Sequence, residues 1–265
     1  MRVTSLLTTN KLSLHYCPFI NFNIPCKCVN LYIAFTAMKR KKIVYFIITI
    51  ALFIGAYFVY HRLMDSKEII LNNKFYKLEL DTIRDIRYAL KKNHADKKTM
   101  QAAFIKHITQ KVFPYWYGTK WDYNGTTQMP QEGSIACGYF VTTTLRDMGV
   151  PINRVKMAQC ASEEMIQSLA SKKNIYHISG VSLKDFEKKL TGYGNGLYVI
   201  GLDNHTGFIL INGNEHVFIY STGWFPFKVV RDVISESSVL SKSKYRVVGK
   251  ISDDDDFLKR WIEND

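Results

Sequence analysis

The stretch QEGSIACGYF, residues 131–140, places one cysteine behind a glycine-containing turn and ahead of an apolar run with helical spacing. Val141, Leu145 and Met148 share a face, and Gly149 with Pro151 supplies a stop, so Cys137 sits at a predicted helix N-terminus. The partial positive charge of a first helical turn favours a thiolate, the nucleophilic form of cysteine. A base must complete the activation. His205, in GLDNHTGFIL, lies at the junction of two β-rich runs, from which an imidazole can be presented to a helix end. On the following strand, period-two alternation puts His216, Phe218 and Tyr220 on one face. Either His216 or Tyr220 could orient the imidazole through its second ring nitrogen, giving the order cysteine, histidine, polar residue.

These residues need a scaffold, and the patterning supplies one. Two helices lead in over residues 66–111: Leu78, Leu80, Ile83, Ile86 and Leu90 recur at helical spacing, as do Phe104, Ile108 and Val112. Residues 114–133 mix aromatics with turn formers and read as a structured loop. After the cysteine helix, further helices are expected at 162–170 and 182–190, the second with Ser182 and Asp185 as a capping pair. The period then changes to strand. LYVIGL (197–202), GFILI (207–211) and, past the Asn212-Gly213 turn, HVFIYS (216–221) form an antiparallel meander that 245–251 could join. The acidic run Asp253–Asp256 introduces a C-terminal helix, FLKRWIEN. Helices first and strands afterwards predict an α+β domain over 112–265.

The N-terminal part reads as an address. Residues 43–60, IVYFIITIALFIGAYFVY, carry no charge and are long enough to span a hydrocarbon core as one transmembrane helix within an anchor at 38–65. Its upstream flank, Lys39-Arg40-Lys41-Lys42, is the more basic. The positive-inside rule then leaves the N-terminus cytoplasmic and the C-terminal domain periplasmic or extracellular. A cleaved signal peptide is the competing reading, though no small-x-small site follows. Met38 has the look of a natural start, and residues 1–37 are an extension to which no function is assigned. Residues 1–65 hold 8 basic and 1 acidic side chains, leaving 28 against 22 for the rest, so much of the net charge of +13 belongs to the address. No RNA-binding or helix-turn-helix signature points to nucleic acid.

Residues 112–222 resemble the papain-like cysteine peptidases and amidases, in particular the NlpC-type cell-wall hydrolases. Tyr115, Tyr117 and Gly118 are similar to that group's upstream loop, Cys137-Gly138-Tyr139-Phe140 to its nucleophile motif, and His205-Thr206-Gly207-Phe208-Ile209 to its histidine strand. The resemblance implies helices packed on an antiparallel sheet, a Cys137–His205 acyl-enzyme mechanism, and a peptide or cell-wall amide as substrate, with no cofactor. Tyr220 aligns with the third catalytic position, His216 being the alternative. Gln131, six residues before Cys137, stands at the papain-type offset for an oxyanion holder. The sequence departs from the group at Ala136, where aspartate is frequent, and at Gly138, where serine is common.

Blander readings stand beside each of these. Cys137 could be a buried small hydrophobe or one half of a disulfide with Cys160, the other cysteine beyond the anchor. His205 could be a polar turn residue. Tyr117 and Trp121, candidates for substrate binding, could be core aromatics. No HExxH, Cys-x-x-Cys or phosphate-binding glycine loop is present, so no metal site is expected. With catalysis removed, the domain becomes a binding or scaffold module; acyl transfer instead of hydrolysis is a further alternative.

Overall fold

The computed structural model describes residues 27–65 and 70–264, so most of the extension at 1–37, including Cys17 and Cys26, lies outside the described residues. The chain forms two compact units, Met1–His61 and Arg62–Asp265. Helix α1, Lys27–Asp65, is the described part of the first unit and runs on into the start of the second. Within it Arg40–Tyr60, 21 residues, is long and apolar enough to cross a membrane, and none of it is buried against protein. At about 1.5 Å per residue this segment spans roughly 30 Å. The helix runs beyond the apolar stretch at both ends, since propagation along a nucleated helix needs no apolar side chains and neither flank carries proline or glycine.

The second unit begins with α2 (Tyr76–Lys92) and α3 (Lys97–His107), followed by a π-helical turn, Ile108–Val112, and the short α4 (Phe113–Trp116). Then come α5 (Cys137–Asp147), α6 (Arg154–Gln159), α7 (Ser162–Leu169), β1 (Ile175–His177) and α8 (Leu183–Gly192). The remainder is β2 (Gly196–Leu202), β3 (Thr206–Asn212), β4 (Glu215–Ser221), β5 (Val229–Val233), α9 (Ser238–Lys242), β6 (Arg246–Lys250) and α10 (Asp255–Glu263). Local chemistry sets several boundaries. Asp96, Ser182 and Asp254 accept the N–H of Thr99, Asp185 and Phe257, capping α3, α8 and α10.

The fold is α+β. Six strands form one antiparallel sheet in the order β1-β6-β2-β3-β4-β5. Every residue of β2 is buried because both faces of the sheet are covered, and this accounts for its unbroken apolar run. On one face Val199, Phe208, Leu210 and Ile219 pack with Phe140 and Leu145 of α5. On the other, Ile200, Ile209 and Phe218 meet Phe186, Leu190 and Leu240 from α8 and α9.

Residues 70–111 are part of this unit. Ile83, Phe104 and Trp261 share the first core, with Phe104 edge-on to Phe257 and Trp261 at 5.1 and 5.0 Å. The Trp116 indole N–H donates to Tyr76 Oη (2.8 Å), which donates to the buried Asp147 carboxylate (2.6 Å). A boundary between a helical lead-in and the domain therefore has no structural counterpart.

Candidate active site

Helix α5 points its N-terminus at the edge between β3 and the loops, and its cap is unusual in what it lacks. Ala136 occupies the cap position with extended backbone and no side chain to accept a first-turn N–H. The first turn closes with the Phe140 N–H on Ala136 O (2.8 Å), which leaves the N–H groups of Cys137 and Gly138 outside the helical ladder. These two groups and the Thr206 N–H, from β3, are directed at Cys137 Sγ and favour its anionic form. Burial outweighs them and holds the thiol above its ordinary value.

The histidine is placed by its loop. Asp203 Oδ2 accepts from Ser243 Oγ (2.7 Å) and the Lys244 N–H (2.8 Å), Asp203 Oδ1 accepts from the Tyr245 N–H (3.2 Å), and the Leu202 N–H donates to His205 O (2.8 Å). The β2–β3 turn is thereby pinned to the start of β6. His205 is buried, with Nε2 sealed from solvent and without a hydrogen-bond partner. Its surroundings are aromatic: Tyr220 lies edge-to-face at 5.4 Å and 89°, and Trp224 at 5.9 Å. Desolvation lowers the imidazole pKa to about 4, so the ring is neutral near pH 7.

Cys137 and His205 both line two adjoining recesses of about 400 and 770 Å³, together with Gly138, Ala158 and Asn204. The smaller recess continues to Cys160, Ser162, Glu163 and Tyr245. The larger is walled by Trp121, Tyr123, Tyr139 and Trp224. Two glycines make this approach possible. A Cβ on Gly138 would meet Ala158 O at 2.4 Å, so a serine there would push α6 away; a Cβ on Gly207 would meet Ile219 O at 2.8 Å, so β4 could not pair closely behind the histidine. The segment before the cysteine is tied to β4 by Ser221 Oγ donating to Ile135 O (2.7 Å).

Several expected site residues lie elsewhere. Gln131 is committed to the scaffold: its Nε2 donates to Leu71 O (2.6 Å) and Tyr115 O (3.0 Å), and it lines neither recess. The donors present in the groove are the Cys137 and Gly138 N–H groups, outside the helical ladder. Gln131→Ala is expected to lower Tm by several degrees, in line with about 1–2 kcal/mol for two lost bonds, while leaving kcat within about two-fold. A hundredfold kcat loss in a folded variant would return Gln131 to the oxyanion role.

His216 sits at the far end of β4, bonded to Glu187 Oε1 (2.8 Å) and Gly213 O (3.0 Å), and lines neither recess. Tyr220 does reach His205, but through its ring; its hydroxyl donates to Asp232 Oδ2 (2.7 Å). Tyr117 is buried in the first core, whereas Trp121 walls the larger recess. Cys137 and Cys160 are both free thiols on one recess, and Cys160 Sγ donates to Met157 O (3.2 Å).

The sequence reading missed the Thr206 N–H, Asp203 as the pin of the histidine loop, and Trp224. One signal was available: alanine, a poor cap, directly before a helix start leaves donors open. Among the described residues no group of three or more His, Cys, Asp or Glu side chains could hold a metal ion. Comparisons of the chain with protein-family models, with curated proteins and with solved structures return no match.

Proposed function

We propose that this chain is a papain-like, NlpC-type thiol hydrolase that cleaves an amide bond, with Cys137 as nucleophile and His205 as base. The observation that carries the reading is the convergence on one groove of an uncapped helix-start cysteine and a buried histidine with no other partner. In this reading the resting pair is neutral. The substrate carbonyl sits against the N–H groups of Cys137 and Gly138, and as Sγ attacks, its proton passes to His205 Nδ1, because Nε2 is sealed. The imidazolium then protonates the leaving amine, and water, deprotonated by the same ring, releases the acyl group from sulfur. Peptides of the cell wall are the substrate that the family resemblance favours. The chain is tethered through Arg40–Tyr60, with the N-terminus cytoplasmic and the catalytic unit outside, as the basic cluster Lys39–Lys42 favours.

One observation favours a second reading, a binding module on the same fold: burial disfavours the thiolate, and no polar side chain orients His205. Acyl trapping decides between them. Treated with p-nitrophenyl acetate and quenched in acid, the protein is expected to carry one acetyl thioester on Cys137 by peptide mass spectrometry, absent in Cys137→Ala. Failure to acylate Cys137 with activated esters and with peptide amides alike would give the site to the binding module. Transfer of the acetyl group to an added amine in preference to water would identify an acyltransferase.

A further inference from the structure

The β4–β5 connection, STGWFPFKV, has no role in the chemistry above beyond the contact of Trp224 with His205. Trp224, Phe225 and Phe227 remain 46%, 64% and 52% exposed, and within residues 70–264 no other large apolar side chains that are adjacent in sequence stay exposed together. Tyr123, 79% exposed, belongs to the same rim, since it lines the larger recess with Trp121 and Trp224.

This loop is held rigid. The Thr222 N–H donates to Lys228 O (3.0 Å), the Phe227 N–H to Trp224 O (2.7 Å), and the Trp121 N–H to Phe227 O (2.8 Å). Phe227 is held in the left-handed backbone region at φ 53°, which a non-glycine residue adopts only when its surroundings impose it. The protein thus fixes an aromatic cluster outward at the mouth of its groove. Clusters of this kind mark surfaces that something covers.

We propose that this loop docks on the surface of a lipid bilayer, so that the Cys137 groove opens at the membrane–water interface. Two observations select lipid as the occupant. Tryptophan, tyrosine and phenylalanine beside lysine make up the composition that partitions to the interfacial zone, and Lys120 and Lys228, paired across a β-bridge, lie at the base of the loop where anionic headgroups would meet them. The nearby Asp122 is exposed and accepts the Asn124 N–H through Oδ1 (2.8 Å), so one carboxylate stands against the two lysines. The docking does not depend on the thiol chemistry, and Cys137→Ser is expected to dock unchanged. It does rest on the anchor reading.

Tryptophan fluorescence of the full chain reconstituted in vesicles containing anionic phospholipid tests it. Trp116 and Trp261 are fully buried, and Trp121 is half-buried on the wall of the larger recess, so the signal of Trp224 is read as the difference between the parent and Trp224→Phe. Brominated lipid is expected to quench emission, and Trp224→Phe should lose most of the effect, leaving only the share of half-buried Trp121. Vesicle binding should also lower the iodide quenching constant of Trp224 about two-fold relative to detergent solution. In Phe225→Ser/Phe227→Ser, which keeps Trp224 as reporter, iodide access should return while the protein still floats with the vesicles. Trp224 open to iodide in floated parent protein overturns docking and leaves the anchor intact. Shielding from iodide without quenching by brominated lipid also overturns it and assigns the loop to a protein or glycan partner. Protein that does not float overturns anchor and docking together.

Discussion

Cys137→Ala is expected to abolish turnover of an acyl substrate, a loss of about 10⁴-fold or more, and His205→Ala to lose about 10²–10⁴-fold in kcat/KM, with the double variant scarcely worse than Cys137→Ala. In the proposed mechanism the two residues act as one unit, so their effects should not add. The form of the histidine defect follows from the site's electrostatics. Burial raises the thiol and lowers the imidazole, so the resting protein stores no thiolate, and in the proposed mechanism the proton moves during attack. Iodoacetamide at pH 7 should therefore alkylate Cys137 slowly in the parent and nearly as slowly in His205→Ala, with Cys160→Ser removing the second thiol from the measurement. A fast parent reaction that collapses in His205→Ala would mean a preformed thiolate–imidazolium pair and would overturn the neutral mechanism. Equal turnover in His205→Ala and parent would remove His205 from catalysis.

Periodicity was a good guide where one physical requirement dominated. The α5 helix, its start at Cys137, the β2–β3–β4 meander and the capped α8 are all legible because apolar spacing, a turn dipeptide or a capping side chain points one way. It failed where tertiary contacts decide. β1 has three residues at the sheet edge, too few for any period, and β5 is interrupted by Arg231 and Asp232, tolerable because an edge strand keeps one side in water. The site divides in the same way. A cysteine at a helix start and a histidine at a strand start can be read locally. Gln131 was misplaced because its offset from Cys137 says nothing about the carbonyls of Leu71 and Tyr115, which take its amide. Alternation correctly put His216 and Tyr220 on one face, yet the pattern cannot tell which end of a strand approaches the cysteine. The donors directed at Cys137 Sγ are backbone groups, invisible to any reading based on side chains.

The folded protein is expected to lose stability in acid through His205 in a defined window. In the unfolded chain the imidazole titrates near the ordinary value of about 6.5, whereas in the fold it stays neutral down to about 4. Above the unfolded value neither state is protonated, and the contribution of the buried neutral ring is fully present. Between those two values only the unfolded chain binds the proton, so stability falls by up to about 1.4 kcal/mol per pH unit, roughly 3 kcal/mol across the window. The Cys137 thiol, raised in the fold, acts at the other extreme: its contribution is intact at neutral pH and is lost as pH rises past the ordinary thiol value. Urea unfolding of parent and His205→Phe at pH 7.5, 5.5 and 4.5 isolates the histidine, since every other titrating group is common to both. The stability difference between them should shift by about 3 kcal/mol in favour of the variant as pH falls. The same neutral ring predicts an acid limb of kcat/KM near pH 4, where a solvent-exposed catalytic histidine would give one near 6.5. A limb at 6 or above, together with a pH-independent stability difference, would show that His205 keeps an ordinary imidazole pKa in the fold and would overturn its desolvation.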